Sequence, residues 1–446
     1  MKNIVLVMSD QHSARYLTSN KDMDNISPNL DKIAQNGLMV SNAYCNAPLC
    51  VPSRMSFLTG KLPSETLILD NNSTLNSDQV TIAHKMSLLG YETILVGRMH
   101  FKGLDQFHGF DKRYVGDITA QYWGQSRSEL EPFYEGFKAK SSQEVVGVGQ
   151  SPVFDFDKQV LEQAKSLINE KRDKPYFMII GFYSPHFPYI SKDLNNNFKS
   201  SISKDDIERL AYAEYSDMIQ KSTVKKSQHI DKIYQEMVYN LDSYVKEIYD
   251  DFKSNNQDGL FIYTSDHGDQ VGRRGIFGKK TLYEDSIKVP LIIEGLKLDA
   301  SKNLSLIDLH NIILNYGENK APGLKNNYIK VQQMIEKDQK PLWTEAIIKD
   351  NYKLISINNK NYLYDLQIDP EEETPLESAK AIKDELKLQL TPLSKQDVLK
   401  THYQNQKLAS EILIRHGRKN KVNINTKYQV ESEFKLSKNL KFKKGR

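Results

Sequence analysis

Five short runs of apolar residues recur along the N-terminal two thirds of the chain. The runs lie at 3–8, 92–97, 176–183, 260–265 and 289–295. Runs of this length without polar alternation are typical of strands covered on both faces. Stretches with helical spacing separate them, the longest at about 157–171 and 228–253. The pattern therefore predicts an α/β fold in which helices cover a mostly parallel sheet.

Local capping signals predict two further helices. Ser27 followed by Pro28 is typical of a helix start, and Gly37 marks its end. A second helix is expected from Thr81 to Gly90.

The spacing of apolar residues changes after Glu318. Short amphipathic segments then follow one another closely, at 342–350, 352–359 and 361–366. This spacing is typical of a small antiparallel sheet. The sequence therefore predicts three parts: a large α/β domain, a small sheet subdomain and a C-terminal tail, at 1–318, 319–393 and 394–446.

The predicted tail is strongly basic. Residues 394–446 contain 14 Lys and Arg against 4 Asp and Glu, whereas the formal net charge of the whole chain is +4. No zinc-ligand or helix-turn-helix signature accompanies this charge, so we do not expect a nucleic-acid partner. Helical spacing in 397–417 predicts a helix that ends near Gly417. Beyond it, we expect either a solvated terminus or a segment that docks on the acidic body of a neighbouring subunit, as in a homo-oligomer.

The chain shows no sign of a membrane span or a disulfide framework. No apolar run approaches the roughly 18–20 residues that cross a bilayer. The two cysteines, Cys45 and Cys50, fit a reducing compartment. The apolar stretch from Ile4 to Met8 is short for a signal peptide and has no cleavage site after it. We expect a cytoplasmic protein, or a periplasmic one if an export signal was trimmed.

Polar residues follow four of the predicted strands. They are Asp10, Gln11, Arg98, His100, His186, Asp266 and His267. Open α/β sheets bind ligands beyond the carboxyl ends of their strands. Two carboxylates, an amide and an imidazole can hold a divalent cation, which favours hydrolysis at an anionic centre. Structural roles remain open, such as an Asx-turn in "SDHGD".

The segment "CVPSRMSFLTG" places a thiol at a predicted helix start. Pro52 suits the first turn and Gly60 the end, so Cys50 would lie at the positive end of the helix. A buried structural cysteine, or the nucleophile of a cysteine protease or phosphatase, remains open. No H-C-x5-R phosphate loop is present, because Arg54 lies only four residues on. Arg54 and Lys279 would add positive charge for an anion.

This segment resembles the C-x-P-S-R…L-T-G signature of type I, formylglycine-dependent sulfatases. The resemblance continues through "SDQ", "PNLDKIAQNG", "GRMHFKG", "SPHFPY", "SDHGD", "FGKKTLYE" and "YLYDLQIDPEEE", and covers about Met1 to Glu377. It implies an alkaline-phosphatase-like α/β fold with a smaller C-terminal sheet. It also implies a sulfuric ester hydrolase that releases an alcohol and inorganic sulfate.

The resemblance implies a role for each matching residue. A formylglycine-generating or anaerobic sulfatase-maturing enzyme would oxidise Cys50 to formylglycine. The metal ligands would be Asp10, Gln11, Asp266, His267 and the modified Cys50. Calcium is the expected ion and manganese the second choice. This chain departs from many relatives, which have Asp and Asn where Gln11 and His267 stand, and the departure removes one carboxylate from the ligand set. Arg54 would hold the formylglycine hydrate.

The resemblance also implies the sulfate contacts and the proton transfers. The sulfate contacts would be Arg98, His100, His186 and Lys279, although many relatives have Lys at the first of these positions. One hydroxyl of the hydrate would attack sulfur, and His186 or Lys279 would protonate the leaving alcohol. His100 is a candidate for deprotonating the second hydroxyl, which expels sulfate.

The substrate is less well defined by the sequence. "GRMHFKGLDQFHGF" and the Asp70-Asn71 pair resemble the choline-sulfatase branch, which implies Asn71 at the sulfate and an aromatic face such as Trp123 at a cationic head group. A sulfated sugar fits the same stretches. A phosphonate monoester or phosphodiester hydrolase, and an inactive binding homologue, remain alternatives.

Overall fold

The computed structural model describes residues 1–19, 23, 25–125, 142–194, 196–323, 327–420 and 431. Its strands are β1 (Ile4–Asp10), β2 (Leu38–Met39), β3 (Ala43–Tyr44), β4 (Glu92–Gly97), β5 (Lys112–Tyr114), β6 (Val146–Val148), β7 (Tyr176–Pro185), β8 (Tyr189–Ser191), β9 (Leu260–Ser265), β10 (Leu291–Glu294), β11 (Leu304–Ser305), β12 (Ile329–Lys337), β13 (Lys340–Lys349), β14 (Tyr352–Ile357) and β15 (Lys360–Asp365).

The helices lie mainly between these strands. They are α1 (Pro28–Asn36), α2 (Cys50–Thr59), α3 (Pro63–Thr66), α4 (Ile82–Leu88), α5 (Pro152–Ile168), α6 (Lys204–Glu208), α7 (Val224–Asn255), α8 (Glu284–Ile287), α9 (Leu306–Gly317), α10 (Lys380–Lys387) and α11 (Leu393–Lys419). Two short 3-10 helices cover Ala213–Met218 and Arg273–Gly275.

The central sheet has seven strands in the order β2-β10-β9-β1-β7-β4-β5. The five strands from β9 to β5 run parallel, and β10 pairs antiparallel with both β9 and β2. All five predicted runs form strands of this sheet, and the predicted α/β class is confirmed. The parallel strands place their carboxyl ends along one edge.

The side chains of β1 show why its sequence is apolar throughout. Ile4, Leu6 and Met8 point into one hydrophobic cluster, and Val5 and Val7 point into another on the opposite face. All five side chains are buried. Burial on both faces removes the alternation of polar and apolar residues that a half-exposed strand would show.

The C-terminal strands β12 to β15 form an antiparallel sheet in sequence order, as the sequence predicts. Val331, Ala346 and Ile355 of this sheet join the same hydrophobic cluster as Leu6 of β1. The small sheet is therefore packed into the core of the large one. The segment of β12 lacked a clear signal in the sequence, and the domain boundaries at 318 and 393 stay predictions.

The last described helix, α11, packs on its own chain. Leu399 and Tyr403 share a cluster with Leu69, Met334 and Trp343. The helix runs past the predicted end near Gly417 to Lys419. The predicted docking of the remaining tail on a neighbouring subunit concerns 421–430 and 432–446, which lie outside the described residues. Within the described part of the chain, none of the helices is both long and apolar enough to cross a membrane.

Candidate active site

The carboxyl edge of the central sheet brings together the residues that the sequence singled out. Asp10 ends β1, Arg98 directly follows β4, His186 directly follows β7, and Asp266 directly follows β9. Because these strands are neighbours in the parallel part of the sheet, four segments far apart in sequence meet at one place. All four side chains are buried.

Two residues at this edge have unusual backbone conformations. Gln11 and His100 have φ angles of 71° and 61°, in the left-handed region that glycine usually occupies. Strained conformations of this kind persist where the surrounding structure holds a side chain for function. These φ angles change the direction of the backbone just beyond the ends of β1 and β4.

Cys50 is the first residue of α2 and is 1% exposed. Leu49, the residue at the cap position, offers no side-chain hydrogen bond. Instead, the Oδ1 atom of Asn71 accepts a hydrogen bond of 3.0 Å from the backbone N–H of Val51. Asn71 therefore caps the helix that carries the thiol. Gly60 ends this helix in the left-handed conformation, as its sequence predicts.

The surroundings of Cys50 favour an anion. Its Sγ atom lies 3.2 Å from Nε2 of His267 and 3.7 Å from Oδ1 of Asp10. Burial raises the pKa of the thiol, but Lys279 and His267 outweigh that effect and hold the pKa well below its ordinary value. A hydrogen bond from His100 acts in the same direction. The position can therefore hold a reacting group with negative charge.

Two arginines neutralise the carboxylate of Asp10. Its Oδ2 atom accepts hydrogen bonds from Nη2 of Arg54, at 3.2 Å, and from Nε of Arg98. Burial and Cys50 raise the pKa of Asp10, yet Arg98 and the other nearby cations hold it well below its ordinary value. Asp10 is therefore ionised and leaves its Oδ1 atom directed at the thiol.

Asp266 is the second buried carboxylate. Its Oδ2 atom accepts a bond of 2.8 Å from Nε of Arg54, and its Oδ1 atom accepts from the backbone N–H of Gln11 and of His267. Burial raises the pKa of Asp266, and Arg54 offsets this only in part. Arg54 thus bridges both carboxylates, and its Nη1 atom donates to the carbonyl of Arg98.

The donor set fits a divalent cation. Ligand atoms of Asp10, Cys50, Asp266 and His267 lie within 4.8 Å of one another. The Nδ1 atom of His267 lies 3.0 Å from the carbonyl of Gly268 and must donate to it, so Nε2 faces the cluster and offers a lone pair when its proton is displaced by a metal ion. Two buried carboxylates and one imidazole lone pair around one point are the ligands expected for a hard or borderline metal ion.

Gln11, the fifth predicted ligand, borders this cluster. Its Nε2 atom donates to Asp269, so its Oε1 atom faces the site and accepts a bond of 2.5 Å from Nζ of Lys279. Asp269 was missed in the sequence, although it is the second aspartate of "SDHGD". It also accepts from the hydroxyl of Tyr189 at 2.8 Å and orients the glutamine amide.

Lys279 and His186 form a proton-sharing pair. Their Nζ and Nε2 atoms lie 2.6 Å apart. The Nδ1 atom of the same imidazole lies 2.5 Å from the carbonyl of Phe187, an acceptor only, so Nδ1 carries a proton and Nε2 accepts from Lys279. Burial, and next Lys279, lowers the pKa of His186. The mobile proton of the pair therefore belongs to the ammonium group.

Arg98 and His100 form a second pair. Nη2 of Arg98 lies 2.9 Å from Nδ1 of His100, and because a guanidinium only donates, the histidine accepts there. The proton of the neutral ring is then on Nε2. Asp117 orients both residues through bonds of 2.9 Å to Nη1 of Arg98 and to the backbone N–H of His100. Asp117 lies in a loop without a recognisable motif, so it could not be predicted from the sequence.

Among the described residues, the contacts of Trp123 are with parts of the chain outside this cluster. Its backbone packs against Gly417 of α11, and its ring contacts Tyr122 edge-on at a centroid distance of 5.3 Å. The cleft above Lys279 is lined by other residues. The predicted role of Trp123 at a cationic head group stays a prediction.

Comparisons with known proteins identify the family and relatives of this chain. The family model described as "Sulfatase" matches residues 2–313. The choline-sulfatase of Rhizobium meliloti (strain 1021) is 27% identical over 424 residues, which cover 84% of this chain and 82% of that protein. Among solved structures, a 2-O GAG sulfatase has a TM-score of 0.67 at 17% identity, covering 91% of this chain and 92% of the other. The phosphonate monoester hydrolase of Agrobacterium radiobacter has a TM-score of 0.66 at 19% identity, covering 90% and 96%.

The structural neighbours establish the fold, and the family model, which spans most of the chain, establishes the class of enzyme. The buried thiol in "CVPSRMSFLTG", with its carboxylates, arginines and histidines, lies inside the matched region. The chain belongs to the sulfatase family, whose named members here hydrolyse sulfate esters.

Proposed function

We propose that this sulfatase cleaves a sulfate monoester after a maturing enzyme has converted Cys50 to formylglycine. The observation that carries the proposal is the position of Cys50 at the start of α2, against Asp10 and His267 and beneath Lys279. A structural cysteine would need none of these charged neighbours. The hydrated formylglycine would supply one hydroxyl that attacks sulfur and a second whose deprotonation releases sulfate.

Asp10, Gln11, Asp266, His267 and the matured Cys50 would hold a divalent cation, calcium first and manganese second. The cation would act as a Lewis acid at the reacting oxygens. Arg54 donates to both carboxylates, so its positive charge reduces the repulsion between them. Its side chain is engaged with them rather than with the thiol, so we assign it a positioning role.

Lys279 would protonate the leaving alcohol. Its ammonium group holds the proton that His186 accepts, and the tie between His186 and Phe187 fixes the ring for that purpose. His186 would therefore orient Lys279 rather than act as the acid itself. A positioned acid contributes about 10²–10⁴-fold to rate when the leaving group is basic.

Arg98 and His100 would bind the sulfate oxygens. Since the Nδ1 atom of His100 accepts from Arg98, its Nε2–H can donate to an anion. In this tautomer the ring is a donor, and it can serve as a base only after the proton moves. Asn71 completes the anion site by holding the first turn of α2 in place.

The substrate would be a small alkyl sulfate such as choline sulfate, or a sulfated sugar. The choline-sulfatase of Rhizobium meliloti supports the first class and the N-acetylglucosamine-6-O-sulfatase of Bacteroides thetaiotaomicron, 24% identical over 361 residues, supports the second. Both assignments belong to those proteins.

The test is turnover by protein co-expressed with a formylglycine-generating enzyme. We expect hydrolysis of 4-nitrophenyl sulfate, choline sulfate or sulfated sugars, with weaker hydrolysis of a phosphodiester or phosphonate monoester. A higher kcat/KM for the phosphorus esters would favour a phosphonate hydrolase instead. Absence of any turnover by protein with matured Cys50 would contradict both.

A further inference from the structure

A cleft of about 750 Å³ opens above Lys279. Its walls come from distant parts of the chain: the loop before α2, the loop at Asp70, the segment 217–226, strand β12 and helix α11. A volume of this size is in the range that holds a drug-sized or sugar-sized ligand. We refer to this space, outside the buried cluster at Cys50, as the cleft.

The carboxylates of the cleft are mostly engaged with other groups. Asp217 pairs with Lys337 at 2.9 Å, and Glu336 pairs with Lys407 at 2.5 Å. Asp70 accepts hydrogen bonds from the backbone N–H of Asn72 and from the hydroxyl of Ser73. Glu144 is exposed and has no salt bridge within the described part of the chain.

The ammonium groups of the cleft are not paired in this way. Lys221, Lys226 and Lys280 line the cleft and are exposed, and none has a salt bridge to a described residue. Lys279 lies below them, directed at Gln11 and His186. The charges that remain available to a ligand are therefore mainly positive.

Lys280 is the most constrained of the three. Its φ angle is 76°, in a region that strains a lysine but that a glycine adopts without strain. Its N–H donates to the carbonyl of Pro48 at 3.2 Å, and its own carbonyl accepts from Nε2 of Gln333 at 2.8 Å. Both backbone groups are thus tied down, and the side chain enters the cleft beside Lys279.

Charges of both signs surround Lys280. Surrounding protein lowers the pKa of its ammonium group although the side chain keeps contact with solvent through the cleft, and Lys279 lowers it further. Charges in the opposite direction come from Asp70, Cys50 and Glu336. An anion bound in the cleft would relieve the repulsion between the two adjacent lysines.

We propose that Lys280, assisted by Lys221 and Lys226, binds a second acidic group of the substrate, either a carboxylate or a second sulfate. The inference rests on the proposed sulfatase function and deepens it. The preferred esters would be anionic sulfated sugars rather than choline sulfate, because a quaternary ammonium group in this cleft would meet like charges. Specificity would thus come from repulsion of a cation as well as attraction of an anion.

The test compares matched sugars as competitive inhibitors of 4-nitrophenyl sulfate hydrolysis, so it does not depend on which position the enzyme cleaves. One pair is N-acetylglucosamine 6-sulfate, whose nitrogen is uncharged, and glucosamine 2-N,6-O-disulfate. The other pair is a sulfated uronic acid and its methyl ester. We expect the inhibition constant of the dianionic member to be about tenfold lower in at least one pair, as for a charge-assisted contact.

Lys280→Gln should bring the two inhibition constants of that pair within about twofold of each other. Lys280→Gly, which suits the backbone angle, should do the same and guards against loss of folding. Lys225→Gln is the matched control: Lys225 is exposed on α7 but does not line the cleft, so the tenfold ratio should persist.

Two results would overturn the inference. One is equal inhibition by both members of each pair in the wild-type enzyme. The other is a ratio that survives in both Lys280 variants. Failure of the proposed function would look different, since matured wild-type enzyme would then hydrolyse no sulfate ester.

Discussion

In the buried cluster at Cys50, each arginine contacts a carboxylate, whereas in the cleft above it three lysines face solvent without a described ion pair. Arg54 and Arg98 are both buried, and each forms an ion pair with Asp10. Lys221, Lys226 and Lys280 are exposed. Buried charges must be compensated within the protein, whereas exposed charges are solvated and stay available to a ligand.

The comparison suggests a division of roles, in which the buried cluster would carry out the reaction and the cleft would select the substrate. On the proposed function, the compensated cluster would contact the sulfate end and stabilise the same transition state for any alcohol. The cleft would then receive the alcohol portion, so changes there should alter which ester binds.

Removal of the thiol should abolish the chemistry of the buried cluster. We expect Cys50→Ala to lower kcat by about 10⁴-fold or more, because loss of a nucleophile has effects of that size. Cys50→Ser should complete at most one turnover. The melting temperature should change little, which circular dichroism can verify. Sustained turnover by the serine variant near the wild-type rate would exclude the formylglycine route.

Loss of the cation or of its ligands should come next. We expect chelation, and separately Asp266→Asn, to lower kcat by about 10³-fold, the order associated with losing a Lewis acid. Calcium or manganese should restore the chelated wild type but not the variant. Metal analysis should be run in parallel. Full activity in demonstrably metal-free protein would remove the metal from the account.

The Lys279–His186 pair joins the two regions, so its effect should depend on the ester. Lys279→Ala should lower kcat for an alkyl sulfate by about 10²-fold or more, but for 4-nitrophenyl sulfate by much less, because nitrophenolate needs little protonation. His186→Ala should follow the same pattern to a smaller degree. Equal losses for both esters would point to sulfate binding instead.

The smallest effect should come from the support of the cleft. The side-chain amide of Gln406 in α11 lies 2.9 Å from the hydroxyl of Ser73, and this hydroxyl donates to Asp70 and so holds the loop there. Gln406→Ala should raise KM about fivefold with little change in kcat, the size of one hydrogen bond. Gln404, exposed on the same helix, provides the control variant Gln404→Ala. A larger effect of the control would contradict the coupling.

The buried cluster could be predicted from the sequence, and the cleft could not. Asp10, His186 and Asp266 lie beside apolar runs, and parallel strands that share a sheet necessarily bring their carboxyl ends together. The motif around Cys50 is continuous in the chain. Local sequence therefore carried most of the information about the cluster.

The cleft depends instead on contacts between segments that share no local pattern. Lys280, Glu336 and Tyr403 meet there because the C-terminal sheet and α11 pack on the large sheet. No sequence signal distinguishes Lys280 from Lys279, since a positive φ angle at a lysine leaves no local pattern. The aromatic pair that includes Trp123 is visible in the sequence, but the sequence of a loop does not determine which part of the protein its side chains contact.

The most direct test of the central claim relates activity to the chemical state of Cys50. Preparations with different degrees of maturation can be made by varying co-expression of the maturing enzyme. Mass spectrometry of the peptide that carries Cys50 gives the converted fraction, and sulfate release gives the turnover rate per enzyme. The account predicts a rate proportional to the converted fraction, with a line through the origin. Substantial turnover by protein whose Cys50 is entirely unconverted would contradict it.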